Sequence, residues 1–332
     1  MSARQFDESD VKIRPSRRTR PRSKDRPSHS EAITALVTTV DRGRTTCITD
    51  EGTILTTMKS RELGPKSVVV GDFVGIVGDI SGTPGSLARI VTVQDRKNSL
   101  SRTVDDVAKV ERTIVANIDQ LVIVVAATNP EPRRGLIDRF LVSAFHEGIA
   151  PIILVTKVDL GEPPVFLDEY RALGVRVLTT KKGAELSELR ELLHAKTSVL
   201  VGHSGVGKST LINVLVPHAE RVIGEVNEVT GRGRHTSSSA IALPLSPSLK
   251  LSDGWIIDTP GIRAFGLAHI DPNRIIAAFS DLSEVVSQCM PNCSHAVEGC
   301  ALTRWAAPNG EVIPERQQRI ESLRSLLEIK LD

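Results

Sequence analysis

From residue 32 to about residue 95, apolar and polar positions alternate in short runs. Ile33–Val40, Thr45–Ile48, Thr53–Met58, Val68–Val77 and Ala88–Val93 read as strands, with turn residues at Asp41-Arg42-Gly43, Asp50-Glu51-Gly52 and Ser81–Gly85. Alternation of period two turns one side of each strand inward, so five short strands this close together predict a small β-barrel, an OB-fold. From about Ile118 the pattern changes. Leu121–Ala127 is continuously apolar, as in a strand covered on both faces. Leu136, Ile137, Phe140, Leu141, Ala144 and Phe145 recur at helical spacing, and Gly148 is placed to cap that helix. Strands at Pro151–Val155, Val175–Leu178, Ser198–Val201 and Trp255–Ile257 alternate with helices at Glu185–Leu193 and Ser209–Leu215. This alternation predicts a parallel sheet covered by helices. A last helix is predicted from about Pro314, with Ile320, Leu323, Leu326 and Leu327 on one side.

Composition adds limits. A chain of 332 residues allows about two domains at roughly 150 residues each, with small appendages. Hydrophobic residues at 40% and charged residues at 25% exclude a wholly disordered chain. Aromatics at 3% argue against a protein that grips single strands by stacking bases on rings. No apolar stretch is long enough for a transmembrane helix and none follows Met1, so a cytoplasmic protein is expected. Four Cys, three of them near the C-terminus, do not form a disulfide framework.

The net charge of +2 conceals an asymmetry. Residues 1–30 carry nine Lys/Arg against four Asp/Glu, hence +5; the rest carries 33 against 36, hence −3. Lys12, Arg14, Arg17, Arg18, Arg20, Arg22, Lys24 and Arg26 are interrupted by Pro15 and Pro21 and have almost no apolar company. Residues 1–32 therefore read as a basic disordered arm, either merely solvated or neutralising nucleic-acid phosphates. The barrel segment, residues 33–95, holds six basic and seven acidic residues and one aromatic, Phe73, so RNA contact there would be by shape and loops.

Gly202-His203-Ser204-Gly205-Val206-Gly207-Lys208-Ser209 fits G-x-x-x-x-G-K-[ST] between a strand and a helix. Its glycines let backbone N–H groups surround a phosphate, Lys208 reaches the β/γ oxygens and the Ser209 hydroxyl ligates Mg²⁺; Thr210 completes this nucleotide-binding set. Asp258-Thr259-Pro260-Gly261 follows the strand Trp255–Ile257. Asp258 is the expected second Mg²⁺-side group, and the Gly261 N–H the γ-phosphate sensor. Thr156-Lys157-Val158-Asp159 resembles the guanine-reading [NT]-K-x-D, with Asp159 accepting from the base and Thr156 in place of the usual Asn. Thr179-Thr180-Lys181 is placed like the loop that touches the guanine O6. The base-reading motifs precede the phosphate motifs, which is the reverse of the ordinary GTPase order and signals a circular permutation. Cys289, Cys293, His295 and Cys300, spaced C-x₃-C-x-H-x₄-C, supply the complete donor set of a structural zinc site. Cys47 reads as a small core residue.

These motifs resemble the circularly permuted, ribosome small subunit-dependent GTPase A family (RsgA, YjeQ or EngC). The likeness extends over about residues 33–325. It includes Val70-Gly71-Asp72, Arg96–Arg102, Gly233-Arg234-His235-Thr236 as first switch, and Arg263-Ala264-Phe265-Gly266-Leu267 after Asp258–Gly261. The Cys/His spacing is one residue shorter in each outer gap than the family pattern. The resemblance implies a multidomain protein: arm 1–32, OB-fold barrel 33–97, permuted α/β GTPase domain 98–270, and a small α-helical zinc-binding domain 271–332. It implies GTP hydrolysis stimulated by the small ribosomal subunit during that subunit's late maturation. RNA contacts are expected from the basic arm, the barrel loops and the zinc domain, and a monomer is expected because nothing in the sequence demands a dimer. Thr236, with Ser237 as runner-up, is the expected switch ligand to Mg²⁺. Ile262 follows Gly261 and cannot orient a water, so slow intrinsic hydrolysis is expected, with the missing group supplied by a partner or by His235, the candidate catalytic residue beside Lys208 and Thr236. Two alternatives remain at this point: a zinc-stabilised RNA-binding module with a vestigial nucleotide site, and an ATP-using enzyme, against which Asp159 argues.

Overall fold

The computed structural model describes residues 29–331 except 42, 65–67, 106–109, 219–239, 260–264, 266–269, 292 and 296–298. Most of the basic arm, the first switch with His235, Thr236 and Ser237, and Gly261 with Ile262 therefore lie outside the described residues.

Strands β1 (Ile33–Asp41), β2 (Arg44–Thr49), β3 (Ile54–Lys59), β4 (Phe73–Gly78) and β5 (Ala88–Val93) form the expected barrel. β1 pairs with β2 and β4, β2 with β3, β4 with β5, all antiparallel, and β3 closes on β5 in parallel. Closure gives every strand two neighbours and removes exposed edges. Ala35, Val37, Cys47, Leu55, Val74, Ile76 and Ile90 fill the interior. Burial pushes the Cys47 thiol up to about 12, as suits an inert core residue. The fourth strand starts later than the apolar run Val68–Val77 suggests. Gly71 (φ +90°) turns the chain so close to Ala116 that a Cβ would lie 2.1 Å from its carbonyl oxygen. The valines before it dock instead of extending the strand, Val70 bridging to Val115. β2 is buried along nearly its whole length because its outward residue Ile48 packs with Leu36 into the core of the next domain.

A hairpin, β6 (Ser99–Asp105) and β7 (Val110–Ala116), follows where the sequence pattern predicts no strands. Arg102 faces Arg112 across it, so no apolar alternation marks the pair. Then comes the sheet β10-β9-β8-β11-β13-β12: β8 (Gln120–Ala126), β9 (Ala150–Thr156), β10 (Arg176–Thr179), β11 (Thr197–Val201), β12 (Ile241–Pro244) and β13 (Trp255–Asp258). All neighbours are parallel except β12, which runs antiparallel to β13 and touches the barrel through Thr39 opposite Ile241. Helices α1 (Arg134–His146), α2 (Leu167–Ala172), α3 (Ser187–Leu193) and α4 (Lys208–Leu215) cover it. Ile123, Val125, Ile153, Val155 and Ile257 face one core; Val122, Val124, Leu154, Leu200 and Ile256 face another. That double burial is why the strands read as unbroken apolar runs.

The C-terminal part is helical: α5 (Pro272–Ala278), α6 (Ser280–Val286), α7 (Ala301–Ala306) and α8 (Pro314–Leu331). Asp271 caps α5 by accepting from the Asn273 N–H at 2.8 Å, and Pro272 takes the first helical position. Ile270, Ile275, Phe279, Leu282, Leu302, Ile320, Leu323 and Leu326 form its core. Among the described residues, no helix is long and apolar enough to cross a membrane.

Candidate nucleotide and metal sites

Because β8, β9, β10, β11 and β13 are parallel, their C-terminal ends share one sheet edge, where such folds bind ligands. The phosphate loop leaves β11 there. Gly202 (φ +143°) passes so near β8 that a Cβ would lie 2.2 Å from the Val124 carbonyl oxygen, and only glycine fits. Gly207 (φ +96°) then caps α4, whose first turn presents Lys208, Ser209 and Thr210, the last two exposed. The Lys208 ammonium donates to the carbonyls of Gly202 (2.7 Å) and His203 (2.9 Å). Burial lowers its pKa, while the charge of Asp258 acts the other way. Asp258 mirrors this: burial raises its pKa, and Lys208 and the Thr259 N–H draw it down. The Thr259 hydroxyl donates to the Leu200 carbonyl at 3.0 Å, pinning the strand end that carries Asp258 onto β11. Sequence reasoning passed over Thr259; its hydroxyl, placed one residue past the strand, was the available signal.

The segments expected to read the base meet the end of the 202–209 loop in an open pocket of about 420 Å³, lined by Thr156, Lys157, Asp159, Thr180, Gly207 and Thr210 among others. Lys157 takes a left-handed conformation (φ +58°), and its ammonium donates to the Asn129 carbonyl. Asp159 is exposed at the rim. Thr179 ends β10 outside the lining, whereas Lys181–Ala184 and Leu186, which the motif reading did not single out beyond Lys181, form one wall. His203, Ser204 and Gly205 lie in the exposed part of the loop, and Val206 is buried beneath it.

A second constellation lies between α6 and α7. The donor atoms of Cys289, Cys293, His295 and Cys300 all fall within 4.8 Å of one another. Cys289 Sγ is 3.6 Å from His295 Nδ1 and 3.6 Å from Cys300 Sγ, and Cys300 Sγ is 3.9 Å from His295 Nδ1. A tetrahedron with Zn–S of about 2.3 Å and Zn–N of about 2.0 Å has edges of roughly 3.5–3.8 Å; Cys289, His295 and Cys300 stand close to that spacing, and Cys293 completes the donor set within 4.8 Å. His295 (φ +61°) is held by Arg324, whose Nε donates to its carbonyl at 2.6 Å. Burial raises the Cys289 thiol. At Cys300 burial also opposes ionisation, but hydrogen bonds from the Leu302 N–H and neighbouring groups outweigh it and bring the thiol down. These residues could hold one metal ion, with no protein position left open.

A model of the family described as RsgA GTPase matches residues 93–268, more than half of the chain. The chain belongs to the RsgA GTPase family. Among similar proteins are the small ribosomal subunit biogenesis GTPase RsgA of Pseudomonas aeruginosa, 37% identical over 72% of this chain and 70% of its own, and that of Chlorobaculum tepidum, 36% identical over 85% and 91%. The crystal structure of YjeQ from Thermotoga maritima superimposes with a TM-score of 0.59 at 25% identity, over 89% of this chain and 98% of that one. YloQ, described as a circularly permuted GTPase, shares the fold with a TM-score of 0.62 at 22% identity, over 92% and 98%. Along this chain, the pocket lining takes residues 156–186 before residues 207–214, so the segments expected to read the base precede the loop at 202–209.

Proposed function

We propose that this chain is a GTP hydrolase that acts in biogenesis of the small ribosomal subunit. One observation carries the reading: Asp159, the 202–209 loop and Asp258, far apart in sequence, gather at one sheet edge, and Gly207 and Thr210 line one pocket with Lys157 and Asp159, the arrangement a guanine-reading loop beside a phosphate cradle requires. GTP lies with its base against Lys157 and Asp159 and its phosphates in the 202–209 loop. Lys208 neutralises charge on the β/γ oxygens. Ser209 and Asp258 would hold Mg²⁺, with Thr236 of the first switch as the further candidate ligand, and the ion, when bound, would offset the charge that develops on the phosphates. Water attacks the γ-phosphorus in line, the bond to the β–γ bridging oxygen breaks, and its electron pair leaves on GDP. His235 is the proposed group near that water, and Gly261 senses the γ-phosphate. The Cys/His set holds one structural zinc ion. The domain limits are 33–97, 98–270 and 271–332. The partner is the small subunit, met through rRNA by the basic arm, barrel and zinc domain of a cytoplasmic monomer. Phosphate release from GTP and from ATP, with and without small subunits, tests this. GTP-specific, subunit-stimulated release supports it. No release favours an RNA-binding module with a vestigial site, and ATP preference excludes the guanine assignment.

A further inference from the structure

Two arginines stand side by side where the chain passes from β8 into α1, and they are held differently. The Arg134 guanidinium donates to the Glu169 carboxylate and lies 4.8 Å over the Phe166 ring. Arg133 is exposed, and among the described residues no ion pair, hydrogen bond or ring contact restrains its side chain. The segment that carries it, residues 128–133, is pressed against the phosphate loop. Pro130 Cδ lies 3.9 Å from where a Cβ on Gly205 would stand. Arg133 itself shares the wall of a small cavity with Gly202, His203 and Val206 of that loop. Lys208 and Lys157 both donate to backbone carbonyls beside the loop, so the unengaged guanidinium on its Gly202–His203 side is that of Arg133. Ile262 brings no polar group to the attacking water. The charge that builds on the γ-phosphoryl oxygens calls for a permanently charged, planar set of donors, which arginine has and lysine lacks.

We propose that Arg133 is a catalytic residue, an arginine supplied by the chain itself that reaches the γ-phosphoryl group and offsets its developing charge. The proposal rests on GTP binding at the loop as described above. Arg133 gives up no proton: the water oxygen bonds to phosphorus while the bond to the β–γ bridging oxygen breaks, and GDP takes the electron pair. Such a group acts on the transition state and not on bound GDP. The full chain, Arg133→Ala and Arg133→Lys are compared with small ribosomal subunits present. Two quantities are read: GTP turnover, and uptake of aluminium fluoride by the GDP complex, a mimic of the transferring group. Arg133→Ala should lower kcat on the order of a thousand-fold with KM and GDP affinity unchanged, and should take up no aluminium fluoride. Arg133→Lys keeps the charge without the planar fork and should recover part of the loss. Because Arg133 is exposed, neither change disturbs the packed core. An unchanged kcat in Arg133→Ala overturns the proposal. So does a fall in GDP affinity that matches the fall in turnover, which would make the residue structural. A chain that binds no GDP or hydrolyses no GTP removes the GTPase reading itself, whereas turnover that is indifferent to Arg133 removes this proposal alone.

Discussion

The GTPase sheet is joined to its two neighbours in different ways. Toward the barrel the joint is made of backbone and apolar core. β1 meets β12 through Thr39 and Ile241, and Val70 bridges to Val115. The Asn117 side chain donates to the Gly71 carbonyl at 2.9 Å and accepts from the Lys97 N–H at 3.0 Å. Leu36 and Ile48 of the barrel share one apolar cluster with Leu121, Ile123 and Phe140. Toward the C-terminal helices the apolar cores are separate: among the described buried residues, Val142 of α1 and Ile270 at the domain boundary are the GTPase-domain residues that enter the C-terminal cluster. Charge makes this joint. Arg319 of α8, 3% exposed, donates to Asp138 of α1 at 2.7 Å and through Nε to Asp281 at 2.9 Å. Tyr170 (2.9 Å) and Ser322 also donate to Asp138. A shared core and ladder bind two parts into one cooperative unit. A charge network between separate cores lets one part lose structure while the other keeps it.

The strongest way to break that asymmetry is at the Cys/His set, which could hold a metal ion. Cys293→Ser, or a chelator applied to the intact chain, should abolish metal binding and unfold residues 271–331, since structural zinc sites contribute folding free energy on the order of 10 kcal/mol. Nucleotide binding and the barrel should survive. Metal analysis with amide exchange checks this. Exchange that stays slow throughout α5–α8 after the metal has gone would place the stability of this part in its apolar core instead.

The latch comes next in size. Asp138→Ala leaves Arg319 buried beside only one carboxylate and should cost about 3–5 kcal/mol in denaturant unfolding. The double change Asp138→Leu with Arg319→Met replaces charge by volume and should recover most of that loss, because Asp281 is the one member exposed enough to be solvated by itself, at 33%. A double variant as unstable as the single one would show that the network is irreplaceable in holding the helices.

The legibility of this structure in its sequence follows the same division. The barrel, the parallel strands, the phosphate loop and the Cys/His set were readable because each repeats a local rule: alternation, unbroken apolar runs, glycines at fixed spacing, metal donors close in sequence. The hairpin β6–β7 was hidden by opposed arginines, and β12 by its four-residue length and its closing Pro244. The latch joins Asp138 to Arg319 across 181 positions, and no local pattern links them. One sign was available: Asp138 lies between Ile137 and Phe140 in the apolar stripe of α1, where a carboxylate demands a partner. Of the site, the pocket's general position was legible, while the hydrogen bond from the Thr156 hydroxyl to the Val206 carbonyl depends on a backbone approach that no motif encodes.

The smallest expected effect sharpens the barrel side. Arg96 and Lys97 are adjacent in sequence, and both reach a carboxylate: Arg96 that of Asp72, Lys97 that of Asp119. Their surroundings separate them. Asp72 is wholly buried and also accepts from the Val69 N–H at 2.8 Å, whereas the Lys97 and Asp119 side chains are 47% and 32% exposed. Arg96→Met would strand a buried carboxylate and should cost about 3 kcal/mol. Lys97→Met removes only a screened surface pair and should cost under about 1 kcal/mol, with the difference shrinking further in high salt. Asp119 keeps its own structural task, accepting from the Thr197 N–H at 2.7 Å, which does not depend on the lysine. Equal losses from the two substitutions, measured in the same denaturant series, would mean that the barrel is held by its charges after all, and that its joint resembles the C-terminal one.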